Sequence, residues 1–162
     1  PFSIRYPRGN GVMPEWKRPL QKIEVGKGRI ITEGEGIAIL SVGQVGNYAV
    51  QAAKELNEIG LNPGVFDMRF VKPLDEELLA HIHANYSAIV TVEDGCLMGG
   101  FGSAILEFAA DKGLQLPMKR LGIPDEIIEH GDQPQLHKEC GYDVAEIKEA
   151  ALLLSAPVSQ EV

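Results

Sequence analysis

The sequence predicts a three-layer α/β/α domain with a mostly parallel five-stranded sheet and one antiparallel strand. Three observations predict it. Apolar, strand-like runs alternate with segments of helical period along the chain. Ala88-Ile89-Val90-Thr91-Val92 is almost continuously apolar, as in a strand covered on both faces. From Val92, the stretch Glu93-Asp94-Gly95-Cys96-Leu97-Met98-Gly99-Gly100-Phe101-Gly102-Ser103 carries that strand into a glycine-rich turn that opens an amphipathic helix.

The elements follow in order. Phe2 to Tyr6 alternates apolar and polar side chains like an edge strand, and Pro7 stops it because proline donates no ladder hydrogen bond. Residues 7 to 20, with Pro7, Gly9, Gly11, Pro14 and Pro19, read as a linker. Arg29 to Glu33 and Ile37 to Val42 read as strands joined by the tight turn Gly34-Glu35-Gly36, which predicts an antiparallel hairpin. Val45, Ala49, Ala52, Leu56 and Ile59 recur close to every 3.6 residues, predicting a helix closed by Gly60. Val65 to Phe70 predicts a strand, and Asp75 to His83 a helix whose acidic first turn suits the helix dipole. A third helix is expected over Phe101 to Lys112, a short strand over Met118 to Leu121 and a last helix over Asp143 to Leu154. Residues 157–162 have little to pack and read as a frayed tail.

Bulk properties narrow the function. The 162 residues suit one domain, and a hydrophobic content of 44% supports a real core. A net charge of -8 argues against nucleic acid or an anionic membrane as the main partner, since a phosphate backbone calls for a concentrated basic surface. Cys96 and Cys140 lack C-x-x-C spacing and suggest neither a zinc framework nor a disulfide scaffold. No apolar run approaches bilayer-spanning length and no leader pattern opens the chain, so a cytoplasmic protein is expected. A start at Pro1, directly in a strand pattern, reads as a piece of a longer polypeptide.

Several residues could carry chemistry. Gly99-Gly100-Phe101-Gly102 stands at a helix N-terminus, where free N–H groups and the dipole favour an anion. The pattern matches neither G-x-G-x-x-G nor a phosphate-binding loop, and close packing of the helix on the sheet or on a partner subunit is the better reading. In Arg5-Tyr6-Pro7-Arg8-Gly9, Arg8 follows the proline and is free to reach a neighbouring cleft, although on the residues alone a surface ion pair is favoured. Glu93 and Asp94 end a buried strand, where α/β sheets gather ligand groups; either one is a general base or the pair lies on opposite sides and caps the next turn. His81 and His83 do not share a helix face, and His137 with Cys140 lacks a third ligand, so no metal site is expected. The chemistry of His130 stays open.

Taken together, Arg5-Tyr6-Pro7-Arg8-Gly9, Met68-Arg69-Phe70-Val71-Lys72-Pro73-Leu74-Asp75, Thr91-Val92-Glu93-Asp94 with Gly99 to Ser103, Leu121-Gly122-Ile123-Pro124-Asp125 and Glu129-His130-Gly131 resemble the C-terminal end of the 1-deoxy-D-xylulose-5-phosphate synthases, within the transketolase-like family. The resemblance implies a longer transferase that uses thiamine diphosphate and Mg²⁺ to join pyruvate, with loss of CO2, to glyceraldehyde 3-phosphate for isoprenoid precursors. Both cofactors would be held by preceding domains of the same polypeptide, leaving this fragment without catalytic residues, cofactor or activity of its own. It further implies that residues 1–20 end the preceding pyrimidine-binding domain and form a linker, that 21–156 are the C-terminal domain, and that 157–162 are a tail. Arg8 would grip the substrate phosphate, the protein would be a homodimer, and Gly99, Gly100, Phe101 and Gly102 would lie near its interface. The alternatives are another transketolase-like enzyme, such as a 2-oxo-acid dehydrogenase β subunit, or a free-standing α/β domain that binds a small anion at the Gly99 to Gly102 turn.

Overall fold

The computed structural model describes residue 19 and residues 21–156. The expected strand at Phe2 to Tyr6, nearly all of the linker, Arg8 and the tail lie outside the described residues. Five strands, β1 (Arg29–Thr32), β2 (Ile37–Val42), β3 (Gly64–Asp67), β4 (Ala88–Cys96) and β5 (Met118–Ile123), form one sheet in the order β1-β3-β2-β4-β5. β2 pairs in parallel with β3 and β4, β4 pairs in parallel with β5, and β1 alone runs antiparallel. The mixed sheet is the one expected.

The hairpin is not. β1 pairs with β3, which lies between β1 and β2. β2 is buried over its first five residues, four of them apolar, so it needs a neighbour on each side, whereas β1 is exposed throughout and remains at the edge. The Gly34 to Gly36 turn carries the chain past the start of β3 instead. There the Glu35 N–H donates to the Asn62 carbonyl at 2.7 Å, and Gly34 lies so close to the backbone of Asn62 to Gly64 that a Cβ would not fit.

Helices α1 (Gly46–Asn57), α2 (Glu76–Asn85), α3 (Phe101–Asp111), α4 (Gln133–Glu139) and α5 (Val144–Ser155) complete the described fold. The period-two alternation of the strands sorts the core into two clusters. Ile37, Ile39, Val90 and Val92 pack with Ala49, Ala52 and Leu56 of α1 and Ile147 and Ala151 of α5. Ala38, Leu40 and Ile89 pack on the other side with Leu79 and Ile82 of α2 and Phe101, Ile105 and Phe108 of α3. Gly60, with φ of 88°, closes α1 as expected, its N–H bonded to Asn57 O and the Leu61 N–H to Leu56 O. α4 was not expected from the sequence, because its seven residues include Pro134 and a single large apolar side chain, Leu136; Asp132 starts it by accepting the Gln135 N–H at 2.9 Å.

His83 on α2 has both ring nitrogens buried without a partner among the described residues, 6.3 Å from the Phe108 ring between centroids. Loss of water around the ring pushes its pKa below the ordinary 6.5. The unfolded chain then takes up a proton that the folded one resists, so stability falls as pH drops below about 6.5. Between pH 7 and pH 5 the wild-type chain is expected to lose more in Tm than a His83→Leu variant, measured by thermal unfolding in matched buffers. Equal losses would show that the folded ring accepts its proton freely.

Candidate functional site

At the C-terminal end of β4 the chain presents two adjacent carboxylates on opposite faces of the strand. Glu93, 4% exposed, points toward α3. Its Oε2 accepts the Phe101 N–H at 2.7 Å and its Oε1 accepts the Gly102 N–H at 2.8 Å. Two of the four backbone donors that open a helix, where the dipole leaves a partial positive charge, are therefore taken by the protein's own carboxylate. The surrounding glycines follow from that contact. A Cβ on Gly122 would lie 2.9 Å from Glu93 Cγ, and one on Gly102 would lie 2.7 Å from Thr91 Oγ1 and 2.9 Å from Arg120 Cδ; Gly100 has no room for one either.

The turn between β4 and α3 is clipped from outside. Arg120 Nη1 donates to Leu97 O at 2.7 Å and to Ser103 Oγ at 2.8 Å, and Ser103 Oγ donates to the same carbonyl at 2.9 Å. With both oxygens engaged, Glu93 caps the helix and is not placed as a general base. The anion site considered for Gly99 to Gly102 is filled in the same way. Phe101 and Gly102 face the domain's own core, so Gly99, Gly100 and exposed Met98 are what this turn offers a partner.

Asp94 turns to the opposite layer. Its Oδ1 accepts the Tyr142 hydroxyl at 3.0 Å, and burial, reinforced by that carboxylate, pushes the phenol far above its ordinary pKa. Tyr142 packs on the buried His137 ring at 4.9 Å between centroids, and His137 Nδ1 lies 3.1 Å from the Tyr48 hydroxyl. Beside this network a cleft of about 380 Å³ is lined by Asp94, Ile128, Glu129, His130, Cys140 and Tyr142, among others. His130 is thus brought near Asp94, and His137 and Cys140 share the cleft wall. Cys96 is exposed at the end of β4.

Arg69 was not singled out by its sequence context. It is the one non-glycine residue with positive φ, 57°, among those described, immediately after β3, with its N–H held by Asp67 Oδ1 at 3.1 Å. Its guanidinium pairs with no carboxylate among the described residues. Backbone strain of this kind is common where side chains are positioned for function. Only the conformation reveals it, because nothing in the letter Arg signals a left-handed backbone.

The family model for the transketolase C-terminal domain matches residues 26–147. The chain belongs to that family. Among curated relatives of this transketolase C-terminal domain, 1-deoxy-D-xylulose-5-phosphate synthase of Cytophaga hutchinsonii is 56% identical over 158 residues, covering 98% of this chain and 25% of that protein. The synthase of Parabacteroides distasonis is 47% identical over 147 residues, 91% of this chain and 23% of that protein. The chain thus spans about a quarter of the length of these relatives. A split-gene transketolase solved as an inactive β4 tetramer superposes with a TM-score of 0.77 at 30% identity, over 88% of this chain and 45% of that one. The transketolase of Campylobacter jejuni, at 16% identity and a TM-score of 0.60 over 86% of this chain and 20% of that one, shares the fold.

The family implies thiamine diphosphate and Mg²⁺, and the described residues do not fit them. Among those residues no three His, Cys, Asp or Glu side chains gather as metal ligands, and the glycine-rich helix start that would suit a diphosphate is filled by Glu93. No described helix is long and apolar enough to cross a membrane. Glu93→Ala is expected to lower the stability of the domain by roughly 3 kcal/mol, since it strands two buried donors and removes two charge-assisted bonds. Glu93→Gln, which keeps one acceptor, should cost about half of that. Urea unfolding of the variants checks both values, and a loss within about 1 kcal/mol of zero for Glu93→Ala would refute the cap.

Proposed function

We propose that this domain is the C-terminal part of a 1-deoxy-D-xylulose-5-phosphate synthase, a cytoplasmic homodimer that condenses pyruvate with glyceraldehyde 3-phosphate with loss of CO2. The observation that carries the reading is the 56% identity to a synthase over 98% of the chain. Thiamine diphosphate, bound with Mg²⁺ by the remaining domains, supplies the carbanion chemistry. This domain contributes structure, and the segment ahead of it in the same chain carries the substrate-phosphate arginine, Arg8. An acidic chain with its helix N-terminus internally capped is poorly suited to take a phosphate there, which favours a guanidinium outside the sheet for that task. Arg69, strained and without a carboxylate partner among the described residues, is a second guanidinium that could serve it.

Binding energy from the remote phosphate would orient the aldehyde for attack, so its loss should appear in kcat/KM for that substrate. In the full-length enzyme, Arg8→Ala is expected to lower kcat/KM for glyceraldehyde 3-phosphate roughly a hundredfold, the scale for removing one charged partner of a phosphate. Use of unphosphorylated glyceraldehyde should change little. Unaltered constants for the phosphorylated substrate would remove Arg8 from the site. The same reading predicts that the domain alone forms no product from the two substrates.

A further inference from the structure

Two loops rise from the C-terminal ends of β4 and β5, and both expose large apolar side chains. Met98, in the turn before α3, is 68% exposed, and Ile127, in the loop after β5, is 99% exposed. The loops are joined at their base, where the Leu97 N–H donates to Ile123 O at 2.9 Å. Burying an exposed isoleucine is favourable, and almost none of that gain is realised within this domain. The two loops carry Asp94, Asp125, Glu126, Glu129 and Asp132, all exposed, and neither residues 94–100 nor residues 124–132 contain a lysine or arginine; the half-buried Arg120, engaged on Leu97 O, is the cation that adjoins them.

Charge decides what can cover such a surface. A two-fold contact with the same face of a second copy would set this acidic rim against itself, and like charges opposed across an interface disfavour it. The complementary occupant has an apolar pocket with a basic border. The curated relatives are about four times as long as the stretch they share with this chain, so most of the polypeptide in such a protein lies outside this domain. The sequence just before the domain is basic: residues 1–18 carry Arg5, Arg8, Lys17 and Arg18 against Glu15 alone, in a chain whose net charge is -8.

We infer that the Met98 and Ile127 tips, with their acidic rim, form the surface on which this domain docks against a basic-rimmed part of the preceding domains in the full-length protein, and not against its own counterpart in a second copy. This rests on the reading above that the chain is part of a longer synthase, and it names the partner of the strand-end face. Ile127 is the anchor because the domain itself covers almost none of its side chain. The acidic rim supplies orientation and makes the contact weaken as salt rises.

The test places a photo-crosslinking amino acid at position 127 of the full-length protein, where a substitution disturbs no packing within the domain, and maps the products by mass spectrometry. Cross-links to residues N-terminal to this domain, in the same or the partner chain, and falling in yield between low and high salt, are expected. Cross-links to residues 21–156 of a second copy would overturn the inference, and so would their absence. Synthase activity measured on the same preparation keeps the two readings apart: activity without the expected cross-links defeats the docking surface alone, whereas the cross-links without activity leave it standing and defeat the assigned reaction.

Discussion

The Glu93 carboxylate on the first N–H groups of α3 is the contact on which the rest of the arrangement depends. A buried carboxylate is tolerable only when it is paired, and here a helix start supplies both donors together with a favourable dipole. Pairing in turn fixes how far α3 stands from the sheet. Gly100, Gly102 and Gly122 follow because any side chain at these positions would push the helix off its cap. Once α3 is set, Phe101, Ile105 and Phe108 drop into the core beside Leu40 and Ile89.

The neighbouring Asp94 does the equivalent for the other layer. Successive strand side chains point to opposite faces, so a Glu-Asp pair at a strand end can tie one helix on each side of the sheet. Asp94 holds Tyr142, which rests on His137, which meets Tyr48 of α1. The two carboxylates thus act as cross-braces between layers. A pair that looked equally like catalytic acid-base equipment turns out to be engaged in structure.

How much of this was legible depended on the range of the interaction. β4 announced itself through its continuous apolar run, and α1, α2, α3 and α5 through their period, helped by the acidic first turn of α2 and by Gly60 after α1; that Asp75 and Asp143 are N-caps came only with the structure. The pairing of β1 with β3 was not legible, because Gly34-Glu35-Gly36 looks the same whether the chain turns back or crosses over, and the choice is made by Asn62 about thirty residues away. α4 lacks an apolar stripe and depends on Asp132 and on burial of His137. At the site, the alternative that Glu93 caps the next turn was visible, but its occupation of the very donors suggested for an anion was not. Arg8 lies outside the described residues, and Arg69 shows its strain only in the backbone.

The strand-end edge of the sheet is divided by charge, and that division makes the two proposed roles compatible. After β3 come Arg69 and Lys72, while Arg29 on β1 is ion-paired with Asp67 at 3.0 Å. After β4 and β5 come the carboxylates around Met98 and Ile127. Strand order places β3 and β5 three spacings apart, about 14 Å, which is more than one Debye length at physiological salt. On the proposed reading, an anionic substrate would be drawn to the β3 half and repelled from the β5 half. A basic partner would settle on the β5 half without competing for the guanidinium groups that a phosphate would use. On that reading, separating the two along one edge would let the domain hold its neighbour and serve the neighbour's substrate at the same time.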